Sequence, residues 1–585
     1  MTVEQSAGAP SHAPDWHAID WRAVDQNVHR LQARIAQAVM AGKRGKVKAL
    51  QRLLTHSFSA KAVAVRRVTE NHGKHTAGVD GVTWHTPQSK AEAVHNLGRR
   101  RDYHPQPLRR VYIPKKSNRH KMRPLGIPCM FDRAQQALYQ LALDPVAETM
   151  LDPNSYGFRR ERGTADAIGQ CFCCLAKTCS PEWILEGDIH ACFDEISHEW
   201  MLKHVWMDTG MLRKWLVAGY IEQGAFHLTD QGTPQGGIIS PVLANLTLNG
   251  LERTLREKYP SGTRKGKRAK VNLIRYADDF IITGSSKELL EQDIKPLVAC
   301  FLRERGLTLS DEKTVITHIA DGFDFLGQAV RKHHDKLIIT PSKKNYAAFM
   351  ENVRDTVRQA KAMSPAQLIG QLNPIIRGWA NYHRHVCSKR TFERADKDIF
   401  HCVWRWAKRK HPKKSSQWVA QKYFMPPKGR KWTLNAMAEE QDGTVKNLQL
   451  FRASSVRIQR HVKIKADANP YDPHWEPYFE ARAHALARRN PGWRYDEYRL
   501  WQRQGGKCLM CRQDLTEERG WDIHHQVWKV YGGTDDVNNL VLLHPNCHRQ
   551  LHSRAAAAFR NDTGSGDTGS GEARAGCGES RTSGS

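Results

Sequence analysis

The chain has 585 residues, of which 40% are hydrophobic, and carries a formal net charge of +30. This length allows several domains with substantial cores, and this hydrophobic content excludes a disordered chain. A positive excess of this size is best tolerated beside a polyanion, so nucleic acid leads the candidate partners. No apolar run approaches the roughly 18 residues of a membrane span. The start, Met1–Asp15, has neither a signal-peptide nor a transit-peptide pattern, which points to the cytoplasm. The 13 cysteines sit mostly in helical or apolar stretches and read as reduced thiols, with Cys508-Leu-Met-Cys511 as the exception.

Residues 1–18 read as a flexible leader. From Trp21, apolar residues at Val24, Val28, Leu31, Ile35 and Val39 follow helical spacing, and a second amphipathic helix starts after a basic break at Gly42–Lys48. Gly78-Val-Asp-Gly-Val-Thr83 reads as a turn. Val111–Lys116 and Lys121–Pro128 predict a strand, a polar turn and a second extended segment on which Lys115, Lys116, Lys121 and Arg123 converge. Two readings stand there: a basic hairpin holding backbone phosphates, or one whose Arg123 or Lys115 contacts an incoming triphosphate. A helix is predicted over Phe131–Met150. In Ser155-Tyr-Gly-Phe-Arg-Arg160, an aromatic and arginine pair suits stacking on, and phosphate contact with, a template strand.

Three carboxylates then carry the chemistry. The apolar run Trp183-Ile-Leu-Glu-Gly ends on Asp188, and a hairpin predicted around Tyr276-Ala-Asp-Asp279 sets Asp278 and Asp279 at its turn between buried strands. Burying uncompensated acids is costly. A pair of divalent cations about 3.5–4 Å apart resolves that conflict and is the standard device for phosphoryl transfer. Ligands from separate strands are needed to surround two ions, which selects Asp188 beside Asp278; Asp194 reads better as an exposed acid opening the helix at Ser197. Phe193 would lie beside the sugar of a bound nucleotide and could exclude a 2′-hydroxyl. The Gly- and Pro-dense loop Gln231–Pro241 brings backbone close to a ligand, offers Gln235 as a hydrogen-bonding side chain, and continues as a helix over Val242–Leu251. Lys258–Lys270 is a basic insertion expected as a surface loop. Lys313 follows a short strand and turn and could protonate a leaving pyrophosphate, with a plain surface lysine as the alternative. Phe323-Asp-Phe-Leu-Gly327 predicts a small hairpin that grips a primer.

Tyr-Ala-Asp-Asp resembles the metal-binding motif of reverse transcriptases. In order along residues 70–330, Gly-Val-Asp-Gly, Arg-Pro-Leu-Gly-Ile-Pro, Ser-Tyr-Gly-Phe-Arg, Asp188 with Phe193, Pro-Gln-Gly, Tyr-Ala-Asp-Asp, the Lys313 motif and Phe-Leu-Gly are similar to group II intron reverse transcriptases. The resemblance implies a right-hand polymerase with fingers and palm that copies RNA into DNA from dNTPs, with Asp188, Asp278 and Asp279 around Mg²⁺. Residues 344–408 predict three helices, and Leu372-Asn-Pro-Ile-Ile-Arg-Gly-Trp-Ala-Asn-Tyr-His383 looks like the maturase segment, the thumb or domain X, of the same family. Lys408-Arg-Lys-His-Pro-Lys-Lys414 is a phosphate-binding run by composition. Residues 420–495 are basic and aromatic, read by themselves as partly folded; position in the family implies a DNA-binding region.

At the C-terminus, Cys508-x-x-Cys511 and His544-Pro-Asn-Cys547 have the spacing of a tetrahedral Zn²⁺ site. His548 and His552 are one helical turn apart and face the same way. With Asp522-Ile-His524-His525 and Asn539, this resembles the HNH endonuclease motif on a ββα-metal fold. The resemblance implies that His524, His548 and His552 hold the catalytic divalent ion, that His525 is the general base and that Asn539 orients its loop. His544 stands where many relatives have a cysteine, giving Cys₃His ligation.

The sequence thus predicts an α+β multidomain protein. It has an N-terminal helical extension (1–69), reverse transcriptase fingers and palm (70–335), a maturase/thumb domain X (344–420), a basic DNA-binding region (421–495), an HNH domain with a zinc knuckle (496–555) and a disordered tail (556–585). The expected partners are intron RNA, target DNA and dNTPs, with no membrane; oligomeric state is open, a dimer included. The expected location is bacterial cytoplasm, at the nucleoid through bound nucleic acid. A splicing-only RNA chaperone and a reverse transcriptase of another retroelement are the rival functions.

Overall fold

The computed structural model describes residues 15–98, 102–115, 118–233, 236–425, 431–439, 445–487, 495–516, 519–527, 534 and 536–562. Helix α1 (Trp21–Met40) starts where the Asp20 carboxylate accepts from the Arg22 and Ala23 N–H groups. Its apolar stripe, with α2 (Arg44–His56) and α3 (Phe58–Glu70), covers α5 (Met130–Met150), which is buried along most of its circumference. Helix α4 (Pro87–Asn96) and the hairpin β1 (Leu108–Lys115) and β2 (Asn118–Ile127) lie between them in sequence. Residues 15–18 depart from the expected leader. Trp16 and Ile19 are 3% and 6% exposed, and the Trp16 ring meets Trp21 edge-to-face at 5.0 Å. Two tryptophans bury too much apolar surface to be left in water.

After α6 (Thr164–Leu175) comes β3 (Trp183–Gly187), then α7 (Cys192–Glu195), α8 (His198–His204) and α9 (Thr209–Leu216). Strands β4 (Tyr220–Glu222) and β5 (Ala225–His227) extend the first hairpin into a sheet ordered β2-β1-β4-β5. The helix expected over Val242–Leu251 is two helices, α10 (Ser240–Thr247) and α11 (Leu251–Lys258). It breaks because Asp152 Oδ2 accepts from the N–H groups of both Gly250 and Glu252. The basic stretch 258–270 contains a short helix, α12 (Arg264–Ala269), capped by the Thr263 hydroxyl, where a loop was expected.

The central sheet follows the order β6-β7-β3-β8, with β6 (Asn272–Tyr276), β7 (Asp279–Gly284) and β8 (Val315–His318), every pair antiparallel; α13 (Lys295–Arg303) precedes β8. Both faces of the inner strands β3 and β7 are covered, so their central residues are mainly apolar. Ile184, Ile274 and Ile281 face the core shared with α6, whereas Leu185, Leu273, Phe280 and Ile282 face the core shared with the N-terminal helices. Ser155 bridges Arg275 at the β6 edge, and Tyr156 N–H donates to the Arg275 carbonyl. The Ser-Tyr-Gly-Phe-Arg segment is therefore mostly structural, contrary to the template-contact reading. Tyr156 is fully buried, and Arg159 is buried in a two-pronged pair with Glu148 at 2.6 and 2.9 Å. Phe158 alone among its aromatics is exposed.

A small antiparallel sheet of β9 (Phe323–Phe325), β10 (Gln328–His333) and β11 (Lys336–Pro341) leads into α14 (Lys343–Gln359), α15 (Pro365–His383) and α16 (Lys389–Lys410), followed by α17 (Ser416–Phe424). These helices have their own core around Leu372, Ile376, Phe392 and Trp406. The hairpin β12 (Asn435–Glu439) and β13 (Val445–Gln449) packs on it. Residues 459–482, expected to be only partly folded, return to the central domain. Asp166 on α6 accepts from His461 (2.8 Å), Ile464 N–H (2.7 Å) and Arg482 (3.1 Å). Helices α18 (Glu476–Ala487) and α19 (Tyr495–Arg503) lead to β14 (Asp522–His525), β15 (Leu540–Leu543) and α20 (Pro545–Asp562). The expected tail from 556 is thus helical as far as Asp562, an alanine run favouring the helix. Among the described residues, no helix is long and apolar enough to cross a membrane.

The register of the central sheet is tested at Gly187. A Cβ there would stand 2.2 Å from Cζ of the buried Phe280. Gly187→Ala is expected to cost about 1–3 kcal/mol through overpacking, lowering the thermal midpoint of unfolding. An unchanged midpoint would contradict the pairing of Gly187 with Phe280.

Candidate active site and metal centres

The β6–β7 turn is a two-residue connection, Ala277-Asp278, closing the pair Tyr276–Asp279. Ala277 takes a left-handed conformation at φ 58°, a cost of roughly 1–2 kcal/mol for a residue with a Cβ. Neighbours hold it there. Gly157 abuts the turn so closely that a Cβ would lie 2.5 Å from Ala277 N. The Arg275 guanidinium, fully buried, donates to the Ala277 carbonyl at 3.0 Å and to Asn245 Oδ1 at 3.1 Å; Asn245 donates in turn to the Gly157 carbonyl at 2.7 Å. Burial pulls Arg275 down to about 10.

Asp188 leaves the end of β3, its backbone carbonyl accepting from Ser310 N–H. It lies near enough to the turn to act on both of its acids. Burial raises Asp278 above the ordinary carboxylate range, with Asp188 adding to the shift and Arg123 opposing it. Asp279 retains solvent contact, but surrounding protein, then Asp278 and Asp188, push it up to about 6. Lys313 Nζ donates to Asp188 Oδ2 at 2.5 Å, and this bond raises its own pKa. Two cations, Lys313 and the Arg123 guanidinium, therefore act on three acids, a deficit of positive charge that suits divalent cations.

The other candidates border this site or lie elsewhere. Phe193 stands edge-on to Phe158 at 6.4 Å, and its carbonyl accepts from Thr233 N–H at 2.6 Å, joining it to the Gly-rich loop. Gln235 lies outside the described residues. Arg123 lies on β2 opposite Ile113, and Lys115 ends β1 opposite Asn118. The Leu326-Gly327 turn of the Phe-Leu-Gly hairpin is joined to the helical bundle: Tyr382 donates to the Leu326 carbonyl (2.9 Å), while His383 contacts Gln328 and Asn345.

A second site is built on β14, β15 and α20. Side-chain donor atoms of His524, His548 and His552 converge within 4.8 Å, and the two Nε2 atoms of His548 and His552 approach to 3.0 Å. His548 Nδ1 is 3.1 Å from Asp522 Oδ2, which leaves Nε2 free to aim into the cluster. Burial, then the neighbouring histidines, pulls His524 down to about 4, keeping its ring neutral as a ligand must be. Asn539 fastens the loop after His525. Its Oδ1 accepts from Val527 N–H (2.8 Å), and its Nδ2 donates to the carbonyls of Val527 (3.0 Å) and Thr534 (2.8 Å).

Beside it, Cys508, Cys511, His544 and Cys547 also converge within 4.8 Å, all buried. His544 Nε2 donates to the Asp514 carbonyl at 3.1 Å, and its Nδ1 is 3.3 Å from Cys511 Sγ. Hydrogen bonds from Cys511 and Cys547 drive Cys508 well below the usual thiol range, while the same sharing drives Cys547 well above it. Against burial, bonds to Cys508 and Cys511 raise His544 to about 9. Four donors competing for shared protons form a ready metal site.

Arg275, Asn245 and the role of Asp522 as partner of His548 escaped the sequence reading. A signal existed for two of them. Arg275 is the one charge inside an otherwise apolar strand, and Asp522 lies two residues before His524, hence on the same strand face.

Residues 113–330 match the reverse transcriptase (RNA-dependent DNA polymerase) family, 16–97 the N-terminal domain of reverse transcriptase, 346–424 the group II intron maturase-specific domain and 508–554 the HNH endonuclease family. Protein YkfC of Escherichia coli is 32% identical over 52% of this chain and 89% of its own. The group II intron-encoded protein LtrA of Lactococcus lactis is 30% identical over 46% of this chain and 54% of its own, so the match spans about half of LtrA. Among solved structures, a Candida albicans telomerase bound to a telomeric RNA fragment aligns over 55% of this chain and 65% of its own, at 11% identity and a TM-score of 0.32, too loose to define the fold.

The Asn539 fastening has a direct test. Removing its side chain costs about 1–1.5 kcal/mol per bond, so Asn539→Ala should speed hydrogen exchange at Val527 N–H by about tenfold. Unchanged protection would mean that the loop is held by other groups.

Proposed function

We infer the working of this chain from one premise: it belongs to the group II intron-encoded protein family, as an RNA-directed DNA polymerase with a maturase domain and an HNH endonuclease domain. The observation that carries the polymerase reading is the mutual electrostatic influence of Asp188, Asp278 and Asp279, with Lys313 paired to Asp188 and Arg123 acting on Asp278. In our assignment β1 and β2 are the fingers, the central sheet is the palm and α14–α17 are the thumb.

Asp188, Asp278 and Asp279 would hold two Mg²⁺ ions. When bound, these supply the positive charge that offsets the attacking and leaving oxygens. Arg123 and Lys115 bind the triphosphate of the incoming dNTP, and Phe193 packs against its sugar. Gln235, from the Gly- and Pro-dense sequence 231–241, would hydrogen-bond nucleotide or template. The primer 3′-hydroxyl, giving up its proton to solvent, attacks the α-phosphorus in line, the bond to pyrophosphate breaks, and Lys313 donates a proton to the departing oxygen. Arg275 and Asn245 keep the strained turn, and so Asp278, in place.

In the HNH module, His524, His548 and His552 would hold one divalent ion, and His525 takes the proton from the attacking water. Cys508, Cys511, Cys547 and His544, through Nδ1, would hold a structural Zn²⁺, consistent with a buried thiol-rich donor set. The maturase helices and the basic surface bind intron RNA and assist its splicing. The nuclease nicks target DNA, and the polymerase extends the freed 3′-hydroxyl.

The division of labour makes two expectations. Asp278→Ala should cut primer extension on an RNA template by about a thousandfold, several kcal/mol of lost transition-state stabilisation, and leave RNA binding unchanged. Equal loss of both would sink the assignment of separate roles. His525→Ala should abolish strand nicking yet extend a preformed primer as the wild type does; loss of extension as well would mean that the modules are not chemically independent.

A further inference from the structure

Helix α20 carries the histidine cluster on one face and a contact with the opposite end of the chain on the other. At 3.6 residues per turn, Asn546 and Gln550 share a face roughly half a turn around from His548 and His552. The Gln550 side-chain amide donates to two carbonyls of one turn, His17 at 2.6 Å and Ile19 at 2.8 Å. Asn546 Oδ1 accepts from Trp16 Nε1 at 3.3 Å. Gln550, Asn546 and Trp16 are 2%, 5% and 3% exposed. Between these faces, Arg549 reaches Glu70 on α3 at 3.5 Å.

The receiving turn is itself rigid. Asp15 accepts from His17 N–H, Asp20 caps α1, and Trp16 packs edge-to-face on Trp21. It is thus a fixed surface belonging to the N-terminal helices, not a strand of loose chain lying over the nuclease. A primary amide is the side chain this geometry requires, since its two N–H groups match two carbonyl acceptors.

We propose that the segment Trp16–Ile19 is a working part of the nuclease module, with Gln550, Asn546 and Trp16 acting as positioning residues for the histidine cluster of α20. Cys547 holds the start of the helix through the cysteine cluster. The clamp at Gln550, one turn further on, sets the roll of the helix about its axis. Because His548 and His552 lie opposite, any roll moves both together, away from His524 on β14. The clamp also ties the nuclease to the helices that cover the polymerase domain, so one element positions the ligands and fixes the module. The proposal rests on the HNH reading above.

The test uses the full-length chain assembled with the RNA of its encoding intron, acting on a duplex that carries the joined exon sequence, with Mn²⁺ titrated. Gln550→Glu keeps the size but replaces the donors with oxygens facing two carbonyls. It should raise the Mn²⁺ concentration for half-maximal nicking by about tenfold or more, the scale of losses when a ligand's supporting group is removed. Primer extension should be unchanged, and Trp16→Phe, which keeps the ring but removes the Nε1 donor to Asn546, should raise the Mn²⁺ requirement in the same direction. An unchanged Mn²⁺ requirement, or a parallel fall in primer extension, would overturn the proposal. Hydrogen exchange separates this from failure of the HNH reading. In Gln550→Glu the α20 amides from 548 to 553 should lose protection, whereas in His525→Ala they should keep it. Protection unaffected by Gln550→Glu would overturn the clamp even if the wild type proved unable to nick.

Discussion

Three carboxylates cannot share a half-buried site without cations, and much of the central domain serves to make them do so. Asp188 follows the end of β3, and Asp278 and Asp279 lie at the β6–β7 turn, far away in sequence but brought near through the β3–β7 pairing. The turn is strained at Ala277, and its support comes from Gly157 on one side and the buried Arg275 on the other. Lys313 pairs with Asp188 alone, and burial first, with the neighbouring acids adding to it, raises Asp278 and Asp279 above the ordinary carboxylate range. The nucleotide side of the site then needs little covalent chemistry from the protein, since placing charge and holding geometry are what phosphoryl transfer asks of it.

Much of this was legible from residue order. Acids set between apolar runs, Cys-x-x-Cys spacing and paired histidines at i and i+4 each leave a local mark in the chain. The structure brings the Cys₃His set and the three histidines each into one cluster. Contacts that leave no local mark were missed. Asp166 gathers His461, Ile464 and Arg482 from about three hundred residues away, and nothing periodic near either end announces it. Trp16 reads as an isolated aromatic in a leader until its partners, Trp21 and Asn546, are seen. Tyr156 and Arg159 illustrate the opposite error. Aromatic and arginine side chains suit nucleic acid by type, but here one is sheet core and the other neutralises Glu148. Composition reports what a residue can do, and burial decides which of its options is used.

These long-range contacts give the chain a common logic. The polymerase domain is covered at one side by the N-terminal helices and at another by the returning segment 459–482, while α20 packs on the first of these covers. The hairpin at Leu326-Gly327 is joined to the maturase helices through Tyr382 and His383. The acidic trio, the two His- and Cys-based clusters and the maturase helices are thereby held on one scaffold. Such fixed geometry favours passing a nicked end to a polymerase site, because orientation supplied by the fold need not be found by diffusion.

The central claim is that the acidic trio works with a pair of cations. The most direct measurement is the Mg²⁺ dependence of primer extension by the full chain on an RNA template with dNTPs, at metal concentrations well below saturation. The account predicts no synthesis without divalent metal and a rate that rises with about the second power of Mg²⁺ concentration, as two-ion catalysis requires. A first-power dependence, or synthesis that persists in a chelator, would contradict it.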